Sequence, residues 1–230
     1  MLNSTLPAKI GVKICGLTLP EQAIAIAQMG VGALGFITVP YSPRYVPVAT
    51  IADICRRLPP AVLTVAVVAN LDLDALAHLV TTTGVQALQL HGSESPDFCQ
   101  RVREALPNIV LIKALRVRSA ATLAEIPAYA PVVDRILLDA YHPQQLGGTG
   151  RSFDWGLLKN LRLPCPWWLA GGITPENCRQ AIAQTQPQGI DLASGVESRP
   201  GVKDLGRVAA LLSNLGINAN RPPHPEAPHL

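Results

Sequence analysis

The chain has 230 residues, of which 48% are hydrophobic and only 15% charged, a balance that excludes a chain disordered throughout and leaves either one α/β barrel or two small domains. Its formal charge of +3 comes from dispersed Lys and Arg, with no basic run interleaved with aromatic residues, so nucleic acid is not an expected partner. The greasiest run, residues 61–71, is interrupted by Thr64 and Asn70 and too short to span a bilayer, and the first residues hold no charged stretch leading into an apolar one; the expectation is a cytoplasmic protein that does not enter a membrane.

Along the chain, short apolar β-rich runs alternate with helical patterns. A strand over 10–14 is followed by a helix over 20–29, a strand over 33–38 by a helix over 48–58, a strand over 63–68 by a helix over 72–82, and a strand over 86–90 by a helix over 96–106. The second half repeats the scheme, with strands over 110–114, 135–138, 167–170 and 189–193 and helices over 120–126, 154–160, 175–184 and 203–212. Pro20, Pro96 and Pro175 fall where the first turn of a helix tolerates a missing N–H. Such alternation is the signature of βα units around a parallel sheet. Eight units in about 215 residues fit a compact (β/α)8 TIM barrel, a little below the usual ~250 residues; an open doubly wound sheet is the alternative. The barrel is assigned to residues 1–216 as a single domain. Residues 217–230 carry four prolines and no apolar period, so they are expected to form a disordered tail.

The five cysteines, Cys15, Cys55, Cys99, Cys165 and Cys178, are odd in number, form no Cys-x-x-Cys pair and have no His at ligand spacing. Neither a disulfide framework nor a zinc site is expected.

In a barrel the carboxyl ends of the strands form the face that binds ligands. Cys15 stands at the first such end, where it is either a small buried hydrophobe or a base or nucleophile. Ser42-Pro43-Arg44-Tyr45 follow the second strand, His91-Gly92 the fourth, Arg116 the fifth and Asp139 the sixth. Gly171-Gly172 and Ser194-Gly195 follow the last two. Glycines there serve turn geometry or leave backbone N–H groups free for an anion, and the barrel's usual phosphate site is in that place. Asp139 emerges from Ile136-Leu137-Leu138, so burial is expected to favour its protonated form; an exposed carboxyl with a pKa of about 3.9 makes a poor proton donor. It could equally cap a turn or pair with Arg151. With Cys15 it supplies an acid and a base on separate strands, as proton-transfer isomerisation requires. Arg44 is either a solvated surface charge or a rigid fork for a planar carboxylate. His91 reads as a packing residue rather than the acid or base. The glycine-rich loop 144–150 suits a cover over the site and lacks the Lys-Ser/Thr ending of a nucleotide-binding P-loop.

Lys13-Ile14-Cys15-Gly16-Leu17-Thr18, Val39-Pro40-Tyr41-Ser42-Pro43-Arg44-Tyr45-Val46, Leu88-Gln89-Leu90-His91-Gly92, Gly147-Gly148-Thr149-Gly150-Arg151-Ser152-Phe153-Asp154-Trp155, Leu169-Ala170-Gly171-Gly172-Ile173 and Ser194-Gly195-Val196-Glu197 stand in this order along the chain. Together they resemble the phosphoribosylanthranilate isomerase family of tryptophan biosynthesis, over residues 9–212. The resemblance implies a (β/α)8 barrel that performs an Amadori rearrangement without cofactor or metal. It implies that Asp139 is the general acid, Cys15 the general base and Arg44 the holder of the anthranilate carboxylate. Gly171, Gly172, Ser194 and Gly195 would bind the phosphate, with His91 and Asp191 as further substrate contacts. The partner implied is a small phosphosugar, acted on by a monomer.

Some positions depart from the family's usual pattern. Residues 65–70 replace a stretch that commonly carries Gly and Phe, Arg151 and Ser152 stand where Lys and Thr are frequent, Ala193 stands where a second Ser is common, and Tyr41 where Lys often is. The alternatives are a histidine-pathway aminoaldose isomerase, against which the thiol at Cys15 argues because that enzyme uses a carboxylate there, and a catalytically silent phosphosugar-binding barrel, which has no need of both an acid and a base. A metal-dependent epimerase would need several histidines at strand ends.

Overall fold

A computed structural model describes residues 10–139, 155–159 and 161–217. Its eight parallel strands are β1 (Gly11–Cys15), β2 (Ala33–Ile37), β3 (Leu63–Val68), β4 (Ala87–Leu90), β5 (Val110–Arg116), β6 (Arg135–Asp139), β7 (Trp167–Ala170) and β8 (Gly189–Leu192). They pair in sequence order and close where β8 meets β1, so the fold is the (β/α)8 barrel and not an open sheet. Around it lie α1 (Pro20–Gln28), α2 (Val48–Arg57), α3 (Leu73–Thr83), α4 (Pro96–Ala105), α5 (Ala120–Ala124), α6 (Ile126–Tyr129), α7 (Cys178–Thr185) and α8 (Leu205–Asn214). No helix among the described residues is long and apolar enough to cross a membrane.

Side chains alternate across each strand, and the register makes the alternation continuous around the barrel. Lys13 pairs with Ala33 and Asp191, Gly35 with Val65, Val65 with Ala87, Ile112 with Arg135, and Leu137 with Trp168, all pointing to the interior. The other set, including Ile14, Leu34, Leu88, Leu111 and Leu138, is fully buried beneath the helices. Each such aliphatic side chain contributes about 1.5–3 kcal/mol by leaving water. At the amino end of the barrel the Arg135 guanidinium stacks 4.2 Å from the Trp168 ring centroid. Gly189 sits beside that ring because a Cβ there would run into the indole.

The helix starts follow their caps. Asp72 accepts from Ala75 N–H at 2.8 Å, Ser95 from Phe98 N–H at 3.2 Å, and Asp204 from Arg207 N–H at 3.0 Å, each satisfying a donor that the first turn leaves open. Four segments differ from the sequence expectation. The fifth helix is broken in two because Pro127 has no N–H to continue it. The expected helix over 154–160 is a 3-10 turn, Trp155–Leu158, in its described part. α7 begins at Cys178 rather than at Pro175, because the Asn177 side chain folds back to Thr174 N–H at 2.8 Å and to Gly172 O at 2.9 Å. Residues expected to lead directly into the last helix instead form a hairpin, β9 (Glu197–Arg199) and β10 (Val202–Lys203), turned through Gly201 at φ +81°. The expected loop 144–150, Arg151, His142 and the tail from 218 to 230 lie outside the described residues.

Candidate active site

The carboxyl ends of the strands open into a cavity of about 290 Å³. Cys15, Arg44, His91 and Asp139 line its walls, Asp191 lies deeper in, and Gly171, Gly172, Ser194 and Gly195 stand at one side, whereas Ser42 and Arg116, also at strand ends, do not line it. Cys15 is the last residue of β1, buried to 6% exposure, with its thiol turned into the cavity rather than into the shell beneath the helices. Two residues earlier on the same face, Lys13 is wholly buried and donates to Asp191 Oδ2 at 2.9 Å. A carbon placed at the Cβ position of Gly35 would lie 2.8 Å from Cys15 Sγ and 3.0 Å from Lys13 Nζ, so thiol and ammonium converge over one small gap in β2. Burial pushes the Cys15 thiol above its ordinary pKa, with the charge and hydrogen bond of Lys13 working against that rise. Burial works to lower the Lys13 ammonium, and the Asp191 and Cys15 charges outweigh it and raise its pKa.

Asp139 closes β6 on the opposite wall. The expectation of a buried carboxyl is not met, since a quarter of its side chain is exposed. Its neighbour is His91, whose Nε2 lies 3.6 Å from Asp139 Oδ2. The imidazole is held from behind by Gln89, buried on β4, whose amide Nε2 is 3.3 Å from His91 Nδ1. The Nε2 edge of the ring faces Asp139. His91 thus lines the cavity beside Asp139.

Arg44 reaches the cavity from the loop after β2, its fork gripped along one edge by Glu197. Nε donates to Glu197 Oε1 at 2.9 Å and Nη2 to Oε2 at 2.7 Å. Lys203 from the hairpin adds a contact to Glu197 Oε1 at 2.6 Å. Burial alone would raise the Glu197 pKa; the two cations hold it below the usual carboxylate range. Desolvation in turn lowers the Lys203 ammonium despite Glu197. The guanidinium is therefore an anchored group and not a solvated charge. Gly16, at φ +72°, allows this, because a side chain there would strike Arg44 Cδ. Tyr41 by contrast is 87% exposed and outside the cavity lining, so the departure at that position does not change the charge of the site.

Beyond β7 and β8 the two glycine turns abut. Gly171 and Gly172 have φ of +91° and +66°, where an L side chain is strained. A Cβ on Gly195 would collide with the carbonyl oxygen of Ile173. The second turn is a 3-10 helix, Ser194–Val196. The backbone at this rim is consequently bare, the condition under which N–H groups can be presented to an anion.

Lys13, Gln89, Glu197 and Lys203 are the residues that strand-end reasoning passed over. Lys13 and Gln89 each precede a chosen residue by two positions and so share its face of the strand; that spacing was the available signal. Glu197 and Lys203 are brought in by the hairpin, which local pattern did not reveal.

A closed barrel that gathers a thiol, a carboxyl and a guanidinium at the mouth, with a bare glycine rim beside them, belongs to the (β/α)8 enzymes that move protons on small anionic molecules. Comparison with known proteins narrows this. The family described as PRAI, N-(5'phosphoribosyl)anthranilate (PRA) isomerase, matches residues 12–214, and the chain belongs to that family. It is 86% identical over 226 residues to the N-(5'-phosphoribosyl)anthranilate isomerase of Thermosynechococcus vestitus, covering 98% of each chain. The crystal structure of phosphoribosyl anthranilate isomerase from Thermotoga maritima superposes with a TM-score of 0.81 at 34% identity, covering 90% of this chain and 98% of that one. A crystal structure of a phosphoribosyl anthranilate isomerase in complex with reduced 1-(o-carboxyphenylamino)-1-deoxyribulose 5-phosphate gives 0.77 at 32% identity with the same coverage.

Proposed function

We infer that the chain catalyses the Amadori rearrangement of N-(5-phosphoribosyl)anthranilate to 1-(2-carboxyphenylamino)-1-deoxyribulose 5-phosphate in L-tryptophan biosynthesis, by general acid and base catalysis. The observation that carries this reading is the convergence of Cys15, Asp139, Arg44 and both glycine turns on one cavity.

Asp139 gives its proton to the furanose ring oxygen as the C1′–O bond breaks, and the anilino nitrogen lone pair forms the Schiff base. Cys15, as thiolate, removes the proton from C2′ to leave an enolamine, and Asp139 is now the carboxylate and Cys15 the thiol. Protonation at C1′ with loss of the C2′ hydroxyl proton yields the ketone. Every step is a proton transfer coupled to carbon–oxygen or carbon–nitrogen rearrangement, so its balance calls for no cofactor. Facing walls suit the two roles, since neither group can neutralise the other by direct transfer.

Substrate placement follows from the same walls. Arg44 takes the anthranilate carboxylate on the edge of its fork not held by Glu197. Backbone N–H groups of the turns at Gly171-Gly172 and Ser194-Gly195 take the phosphate; Ala193 supplies no hydroxyl there, so backbone donation carries the binding. Asp191 Oδ1, buried and without a partner among the described residues, accepts from a sugar hydroxyl, and His91 supports the sugar beside Asp139. All these groups come from one chain, which supports a monomer as the working unit.

The test is ketone formation from phosphoribosylanthranilate by the purified protein. Cys15→Ser and Asp139→Asn are expected to fold and bind substrate while turnover falls by about 10²–10⁴, the usual contribution of a positioned acid or base. Turnover at the wild-type level in either variant would remove that residue from its role.

A further inference from the structure

The mechanism asks for a thiolate in a place where burial favours the thiol, and four charged groups face Cys15. Lys13 shares its strand face, Asp191 reaches in from β8, Lys203 from the hairpin, and Arg44 from the loop after β2. Two of these are already spoken for: Arg44 and Lys203 both grip Glu197. Lys13 is different. It has no exposed surface, its ammonium donates to Asp191 at 2.9 Å and also lies within hydrogen-bonding reach of the Cys15 thiol, and the gap left by Gly35 lets it approach Sγ without an intervening side chain.

We propose that Lys13 is the positioning residue that holds Cys15 as a thiolate, with Asp191 fixing the ammonium and Gly35 keeping the space between ammonium and sulfur open. This rests on the reading of Cys15 as the base. The ion pair with Asp191 is not by itself neutral toward the sulfur, because Asp191 is tied to Lys13 through Oδ2 while Oδ1 stays unpaired toward the cavity. The carboxylate therefore has a second task, and binding of a hydroxyl at Oδ1 would draw its charge away from the sulfur. Lys13, buried and without any outlet to solvent, keeps its full charge beside Sγ in surroundings where a charge acts strongly. A buried lysine whose only duty was to neutralise Asp191 would not require a glycine opposite the thiol. The φ of Gly35 is not in the left-handed region, and its side-chain space is bounded by Sγ, Cε and Nζ.

The experiment reads thiol ionisation without turnover. Ultraviolet thiolate absorbance is followed against pH for each protein and its Cys15→Ser counterpart, and the difference isolates Cys15 from Cys55, Cys99, Cys165 and Cys178. The charge-conserving double variant Lys13→Met/Asp191→Asn is compared with wild type, and Gly35→Ala, whose methyl group would press on both Sγ and Nζ at 2.8 and 3.0 Å, is a second probe that leaves both charges in place. The expected result is a titration midpoint raised by about one to three pH units in the double variant, the span an opposite charge at close range produces. A smaller rise in the same direction is expected in Gly35→Ala, with the acid limb of kcat/KM moving by the same amount in both. An unchanged midpoint in the double variant would reduce Lys13–Asp191 to a neutral structural pair and overturn the proposal. If the double variant does not fold, an unchanged midpoint in Gly35→Ala overturns it alone. Loss of turnover in Cys15→Ser is scored separately and decides only whether the thiol is the base.

Discussion

Two buried lysines stand on opposite sides of the same barrel and face opposite ways. Lys13 on β1 points into the barrel and pairs with Asp191 at 2.9 Å; Lys113 on β5 points outward, under the helices, and pairs with Glu94 at 2.7 Å. Lys113 also donates to Gly92 O at 2.8 Å, and Glu94 accepts from Asn70 N–H at 2.8 Å and Gly92 N–H at 2.9 Å. Every oxygen of Glu94 is thus used, and the pair ties the loops after β3 and β4 together. Asn70, at φ +56°, is held in the left-handed region by that tie. The inner pair is made with fewer bonds: Lys13 has the carboxylate, and Asp191 keeps one buried oxygen without a partner. A buried polar atom left unsatisfied is costly, and it persists here on the wall of the cavity. On the proposed role of Lys13, the contrast separates an ion pair that serves the fold from one that serves the site.

The largest expected effect breaks the outer pair. Lys113→Met leaves Glu94 buried without its cation, and removal of one partner from a buried pair costs about 3–5 kcal/mol. Urea unfolding should show that loss, while kcat/KM of the protein that remains folded stays close to wild type, because neither Lys113 nor Glu94 lines the catalytic cavity. A collapse of turnover at unchanged stability would erase the distinction between the two lysines.

The same contrast explains what could be read from sequence. All eight strands were legible because alternation, β-rich composition and intervening helical periods agree with one another, and strand ends such as Cys15 and Asp139 follow from the strands directly. Arg44 was legible as a fork but not as an anchored one, because Glu197 lies 153 residues away and reaches it only through the hairpin. The partners of both lysines were illegible for a related reason. Lys13 meets Asp191 across the seam that closes the barrel, 178 residues apart, and no local pattern encodes a seam. Asp139 was read as buried from the apolar run before it; at the mouth the strand has already reached solvent, and only the register shows where that happens.

A smaller effect separates the pairs along the pH axis. The Lys113 ammonium and backbone N–H groups outweigh burial and hold Glu94 below its usual value of 4.5, so its contribution to stability is fully present above about pH 4.5 and is lost as the pH falls through the lowered folded value. Lys13 behaves in the opposite sense. Its pKa is raised above 10.5, so its contribution is present below that pH and fades as the pH climbs through the raised value. Urea midpoints measured in acid should therefore fall less steeply in Glu94→Gln than in wild type, and that variant should leave the alkaline limb unmoved. Parallel acid limbs in the two proteins would mean that other carboxylates govern acid unfolding.

The smallest effect calibrates the other two. On α2, Asp53 accepts from Arg56 at 3.2 Å and from Arg57 at 3.2 Å, a geometry not much longer than that of either buried pair. The difference is solvent: the Asp53 side chain is 46% exposed and its partners more or similarly so. Water screens these charges, and ordering two long arginine side chains offsets part of what attraction remains, so an exposed pair contributes about 0.2–1 kcal/mol at most. Asp53→Asn is expected to shift the urea midpoint by an amount near the limit of measurement, and less still in high salt. Distance alone predicts comparable losses at Asp53 and Glu94, whereas burial predicts that the two differ several-fold. A loss at Asp53 as large as that in Lys113→Met would show that proximity, and not the exclusion of water, sets the strength of ion pairs on this barrel.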